Sequence, residues 1–480
     1  MLVWAALLLL VLMSAVAYNF GRRRALKKSG GRSAALHSRP QYHGYYVALW
    51  AGIPAAALLL AYAVFGPRIE AALLQVDPPA AVASLDVNQL RVFYQDASAQ
   101  ASGQGSSETV YAGPLKAALD AKVVEARNIN QVFSAAAYAA MLVLALGGFL
   151  LAFPRLSIDF RARNRVEGWT GALLFACSAL AVFTTVGIVA SLTFESLRFF
   201  NMIPPLDFLL GTDWSPQIAM RADQYGSSGG FGAVPLFAGT FLVMLLAMMV
   251  AAPIGLYSAI YLSEYANGPQ RAIIKPLLEI LAGVPTVVYG FFAALTVGPM
   301  FRAAFNGLGA LMIGGPLDEL GQYLSQVQNQ MALVAGVVMG IMLIPFVSSL
   351  SDDIINAVPQ SLRDGSYAMG ATRSETVRKV ILPAALPGIA GAMLLAVSRA
   401  IGETMIVTMA AGLQAKMTLN PLDTVTTVTV QIVTLLTGDQ EFDSAKTLAA
   451  FGLGLTLFVV TLLLNVIALH VVQKYREQYD

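Results

Sequence analysis

LRDGSYAMGATRSETVRKVILP, Leu362 to Pro383, is a polar stretch set between two apolar runs, each long enough to cross a bilayer. Its reading begins just upstream. Pro359 precedes helix formers through Met369, and Gly370 then supplies the left-handed position at which a helix ends. Thr372, with Glu375 three residues on, has capping-box spacing and starts a second helix. Val377, Val380 and Ile381 give that helix an apolar side before Leu382 and Pro383 stop it. Two short helices bent at a Gly-Ala-Thr turn are therefore predicted over 359–383. Long connections between membrane helices are usually functional or disordered, and this one carries helix signals, so it reads as a docking surface for another protein. A helical hairpin that merely lies on the membrane surface is the competing reading.

The rest of the chain sets that loop in a bilayer, since 57% of the 480 residues are hydrophobic and 12% are charged, against roughly 25% charged in a soluble domain. The chain is read as an all-α polytopic membrane protein. A helix rising about 1.5 Å per residue needs about 20 apolar residues to cross about 30 Å of hydrocarbon. Nine runs qualify: 2–18, 45–65, 133–153, 169–194, 234–262, 276–300, 331–350, 386–411 and 448–472. The net charge of +2 speaks against nucleic acid as a partner.

Alternate loops divide the basic residues unevenly, nineteen Lys and Arg on one side against ten on the other. By the positive-inside rule the N-terminus is outside, the C-terminus is inside, and the 359–383 loop faces the cytoplasm. The first run could be a cleaved secretory signal. Its basic residues, Arg22 to Lys28, follow the apolar core, however, as in a retained anchor with its N-terminus outside.

Two unequal parts emerge. Residues 1–166 hold three spans, a basic loop and an outside segment at about 67–132 that is poor in large apolar residues and reads as solvated, partly disordered and with short helices at most. Residues 167–480 hold six spans with short connections. Cys177, alone inside an apolar run, reads as a small packing residue. His37, His43 and His470 are too scattered for a metal site. The glycine-rich run YGSSGGFG, Tyr225 to Gly232, lacks the Lys-Ser/Thr ending of a phosphate-binding loop and reads as a turn. No nucleotide-binding motif is present, so any ATP is bound by another chain.

Gly370 followed by Val380, Ile381, Leu382 and Pro383 resembles the coupling loop of the membrane subunits of binding-protein-dependent ABC importers. The stretches FGAVPLFAGTF (231–241), APIGLYSAIYLSEY (252–265), LAGVPTVVYG (281–290), GATRSETVRKVILPAALPGI (370–389) and SRAIGETM (398–405) are similar to phosphate importer permeases of the PstC type. The resemblance implies a six-span type I permease core in the bacterial inner membrane. It also implies four partners: a second permease similar to PstA, two ATPase subunits similar to PstB that bind ATP and Mg, and a periplasmic phosphate-binding protein. This chain would hold no cofactor of its own. Coupling to the ATPase would fall to Arg363, Asp364, Gly365, Ser366, Tyr367, Gly370, Ala371, Thr372, Leu382 and Pro383. Where the family has Glu-Ala-Ala, this chain has Asp364, Gly365 and Ser366, and Gly365 weakens the first helix by about 1 kcal/mol relative to Ala.

Arg399 and Glu403 stand midway along the eighth run, where each charge costs about 2.5–3.5 kcal/mol on insertion scales. Spaced i and i+4, they are expected on one helical face, able to pair. The Arg fork matches phosphate oxygens, and the carboxylate would keep an anion from being trapped. An Arg-Glu bridge that only ties helices together is the structural alternative. In the family this Arg and Glu are associated with phosphate passage. Phosphate near neutral pH still carries a proton and sulfate does not, so the acceptor-only Glu403 could receive that O–H and repel sulfate. Thr286 and Tyr289 are expected along the path. Glu264 and Glu279 are read as structural, and Pro253, Pro285 and Pro345 as kinks. Permeation of sulfate or molybdate, or ATPase-independent transport, are the alternatives to phosphate import.

Overall fold

Hydrocarbon offers a backbone no hydrogen-bond partner, so a chain this apolar has to satisfy its N–H and C=O groups within helices. The computed structural model bears this out over the residues it describes, 2–82, 85–103, 111–218, 228–437 and 444–475. Among them, nine helices are long and apolar enough to cross a membrane, and each overlaps one of the nine runs read from the sequence. The chain divides into two compact units, Met1–Phe183 and Thr184–Asp480.

The first unit contains α1 (Leu2–Lys28), α2 (Pro40–Leu74), α3 (Val87–Ala101), α4 (Pro114–Ala152) and the first half of α5 (Ala162–Met202). α1 and α4 both pack on α2. The approach is close: a Cβ on Gly148 would collide with the Trp50 carbonyl oxygen. Small residues allow such contact where lipid supplies no hydrophobic drive for association.

The segment at about 67–132 differs from its reading. α2 continues to Leu74 and α4 begins at Pro114, while α3 packs on α4 with Phe93, Tyr94 and Ala97 buried against Leu119 and Ala126. The apolar spacing of Leu90, Phe93, Tyr94, Ala97 and Ala101 is helical, and few such residues suffice once a long neighbouring helix offers its face. Gln104 to Val110, which hold the end of the polar run, lie outside the described residues. Cys177 is exposed rather than packed, because no residue of this stretch of α5 is fully buried within the chain.

The second unit continues with α6 (Pro205–Leu210), a β1–β2 hairpin (Trp214–Ile218 and Ser228–Phe231), α7 (Val234–Ile260), α8 (Gly268–Ala282), α9 (Thr286–Phe292), α10 (Gly298–Met312) and α11 (Asp318–Ser325). Then come α12 (Ala332–Asn356), α13 (Gln360–Ala368), α14 (Arg373–Thr376), α15 (Leu382–Ile401), α16 (Met405–Ala410), α17 (Val428–Leu436) and α18 (Ala445–Tyr475). The hairpin takes up the end of the glycine-rich run, whose Tyr225 to Ser227 lie outside the described residues. α7 and α12 form the spine, with Val243, Ala247 and Ala251 buried against Val338, Met339 and Leu343.

Three predicted boundaries move. The sixth span is Thr286–Met312 rather than 276–300, because Gly283 to Pro285 break the chain and leave α8 as a separate amphipathic helix. The second loop helix does not stop at Pro383. A π turn over Val377–Ile381 carries α14 into α15, placing Pro383 in the first turn after it, and one helical span runs Arg373–Ile401. The eighth run, expected to be continuous to 411, breaks after Ile401 and resumes at Met405.

Candidate functional site

A cavity of about 290 Å³ opens between α8, the α8–α9 turn, α12 and Arg399 of α15. Arg399 and Thr286, both read from the sequence as pathway residues, line it together. The Arg399 guanidinium lies over the Phe346 ring, 5.6 Å from its centroid. That contact leaves the N–H donors at the edge of the guanidinium plane free to reach an anion. Among the described residues no carboxylate lies within ion-pair distance of Arg399.

Below it, Asp352 of α12 is 1% exposed and gathers three donors. Arg271 approaches both of its oxygens, at 3.1 and 2.9 Å, Lys275 reaches Oδ2 at 3.0 Å, and the Asn356 amide reaches Oδ1 at 2.8 Å. The hydrogen bond to Asp352 holds the Lys275 ammonium above its ordinary pKa, against the burial that would lower it. Arg271 and Lys275, counted in the sequence only for topology, thus fasten α8 to α12. The missed signal was Asp352 itself, a carboxylate at the end of an apolar run that has to find cationic partners. Glu279, read as structural, lines the same cavity.

Glu403 departs from expectation. Helix α15 ends at Ile401, so Glu403 does not share a helical face with Arg399, and the two form no ion pair. Its Oε1 accepts instead from the backbone N–H groups of Met405 and Ile406, at 3.0 and 3.4 Å. Gly402 and the competing carboxylate explain the break: a side chain that bonds the next N–H groups offers the backbone an alternative to continuing the helix. Thr429 closes the bend by donating to the Glu403 carbonyl at 2.9 Å. Tyr289 is 7% exposed and donates to the Leu281 carbonyl at 2.8 Å, which ties α9 to the end of α8. It does not line the cavity.

The 359–383 loop folds as two helices at an angle. Gly370 has φ +83°, a conformation that L side chains adopt only with strain, and Thr372 and Glu375 form the predicted capping box, Glu375 Oε2 accepting from the Thr372 N–H at 2.9 Å. The ten residues assigned to coupling separate by burial. Asp364, Gly365, Tyr367, Gly370, Thr372 and Pro383 are exposed, and Ala371 and Leu382 are half-buried. Arg363 and Ser366 turn inward. Ser366 Oγ meets Thr376 Oγ1 at 2.8 Å, bracing the two helices. Arg363, 7% exposed, pairs with Glu264 at 3.0 Å and donates to the carbonyls of Val358 and Ile355 at 2.5 and 2.7 Å. Nothing lies within 4 Å of a Cβ added to Gly365. Gly365→Ala is therefore expected to stabilise α13 by about 0.5–1 kcal/mol, read as a raised unfolding midpoint. An unchanged or lowered midpoint would contradict it.

A bundle of interrupted membrane helices, a cation facing a cavity between them and a braced helix pair at the ends of two spans define the class of membrane transport permeases. Residues 251–477 match the family model for the binding-protein-dependent transport system inner membrane component, and residues 7–184 match one described as phosphate ATP-binding cassette transporter. The chain is 32% identical to the "Probable ABC transporter permease protein YqgH" of Bacillus subtilis, over 64% of this chain and 91% of that one. It is 31% identical to the phosphate transport system permease protein PstC of Haemophilus influenzae, over 63% and 92%, and 29% identical to PstC of Mesorhizobium japonicum, over 62% and 88%. The chain belongs to the PstC-type permeases of the binding-protein-dependent ABC transporters. Among solved structures, the MetNI methionine ABC transporter in an inward-facing conformation is similar at a TM-score of 0.35 and 18% identity, covering 51% of this chain and 95% of that one.

Proposed function

We propose that this chain is the permease subunit of an ATP-driven importer that carries inorganic phosphate across the bacterial inner membrane by alternating access. The observation that carries this reading is Arg399, a guanidinium with no ion-pair partner among the described residues, facing a cavity in a permease whose relatives are named for phosphate transport. A planar fork of donors suits a tetrahedral oxyanion, and the Phe346 face beneath it orients the fork without neutralising it.

One permease half does not enclose a path. The reading therefore includes a second permease similar to PstA, two ATPase subunits similar to PstB that hold ATP and Mg, and a periplasmic phosphate-binding protein. The exposed residues of the 359–383 loop would dock on the ATPase, with the N-terminus periplasmic and the C-terminus cytoplasmic as the basic residues suggest. Closure of the ATPase pair would move α13 and, through the π turn, α15 with Arg399 at its far end.

Radiolabelled phosphate uptake in cells lacking this chain tests the reading. Uptake should vanish and return with the gene, whereas restored sulfate or molybdate uptake instead would name another oxyanion. Glu403→Gln keeps an acceptor oxygen for the Met405 and Ile406 N–H groups but removes the charge. Phosphate uptake should survive with discrimination against sulfate weakened, by about tenfold if one charge repulsion is lost. Unchanged discrimination would remove Glu403 from selectivity and leave it as a cap.

A further inference from the structure

We propose that Lys275 and Ser348 form a second oxyanion station in the cavity, distinct from Arg399, with the Lys275–Asp352 pair as a releasable latch. The station rests on the reading of this chain as an oxyanion permease.

Ser348 lines the cavity from α12, is 1% exposed, and its hydroxyl has no hydrogen-bond partner among the described residues. A buried hydroxyl left without a partner costs free energy, and its natural remedy here is a ligand in the cavity it borders. Ser348 and Asp352 are four residues apart on α12 and so share a face, which sets the Lys275 ammonium one turn below the hydroxyl. Phe346, which carries Arg399, and Asp352, which carries Lys275, are separated by six residues, about 9 Å along the helix. That spacing gives a tetrahedral oxyanion two cationic ends to move between, with a hydroxyl donor in the middle.

The latch can open at small cost. Asp352 takes two hydrogen bonds from Arg271 and one from Asn356. When Lys275 swings to an anion, the buried carboxylate keeps its charge partner and three hydrogen bonds. An ion pair made by Lys275 alone could not be released in this way, because removing the only partner of a buried charge is strongly unfavourable. Lys275 also reaches Asp353 only at 3.8 Å, a weak second hold.

The test uses the assembled transporter in inside-out membrane vesicles, with Cys177→Ala and the exposed cavity residue Ser349→Cys as a thiol reporter. Inorganic phosphate should slow labelling of the reporter by about tenfold, while equal chloride should not. Lys275→Gln and Ser348→Ala should each abolish that protection and lower uptake by about tenfold, and Lys275→Arg should restore part of both. Ser348→Ala leaves the ion pairs intact, so it decides the matter if Lys275→Gln fails to assemble. Undiminished protection in both variants would overturn the station. If protection is undiminished there and Arg399→Gln still abolishes uptake, the phosphate permease reading survives without it. If Arg399→Gln leaves uptake unchanged, that reading fails first.

Discussion

Arg399→Gln should reduce phosphate uptake by roughly a hundredfold or more while the transporter still assembles. A charge-assisted hydrogen bond contributes about 1.5–3 kcal/mol, and two from a bidentate fork exceed two factors of ten. Assembly should be spared for a structural reason. The guanidinium rests on Phe346 and holds no carboxylate, so its removal strands no buried charge. Arg399→Lys keeps the charge but loses the planar fork, and uptake intermediate between wild type and Gln is expected. Uptake is read with radiolabelled phosphate and assembly by co-purification of the ATPase. Lost assembly in the Gln variant would return Arg399 to a helix-tying role.

How much of this was legible in the sequence depends on the range of the interaction. Local chemistry was readable: the Gly370 turn and the Thr372–Glu375 capping box follow from residues within a few positions of one another. The nine spans were readable because hydrocarbon imposes length and apolarity on each one separately. Interruptions were harder. Spacing of four residues promised one face for Arg399 and Glu403, but Gly402 and the side-chain cap of Glu403 broke the helix between them. The proline rule failed at Pro383 for a related reason, since a π turn absorbed the missing donor. The cavity's second cation was hidden altogether, because the Lys275–Asp352 pair joins positions 77 residues apart. Burial separated what the family pattern had grouped. Arg363 and Asp364 are adjacent in the loop, yet one faces inward and the other outward.

That separation leads to the second large effect. Arg363→Ala should cost about 3–5 kcal/mol, the usual penalty for removing one partner of a buried ion pair. Glu264, with its side chain 8% exposed, would be left without its charge partner, and the carbonyls of Ile355 and Val358 would lose the guanidinium donors that hold them at the end of α12. The loop's mounting on the spine depends on these bonds, so both ATPase capture and uptake should fail although Arg363 offers no exposed surface. Replacing both members, Arg363→Met with Glu264→Leu, removes the stranded charge and should recover part of the lost stability. The measurements are the unfolding midpoint of the purified chain and ATPase capture in pull-down. An Arg363→Ala variant that kept its midpoint yet lost the ATPase would mean that the guanidinium leaves Glu264 to contact the partner directly, and the brace would then be a feature of the uncoupled loop alone.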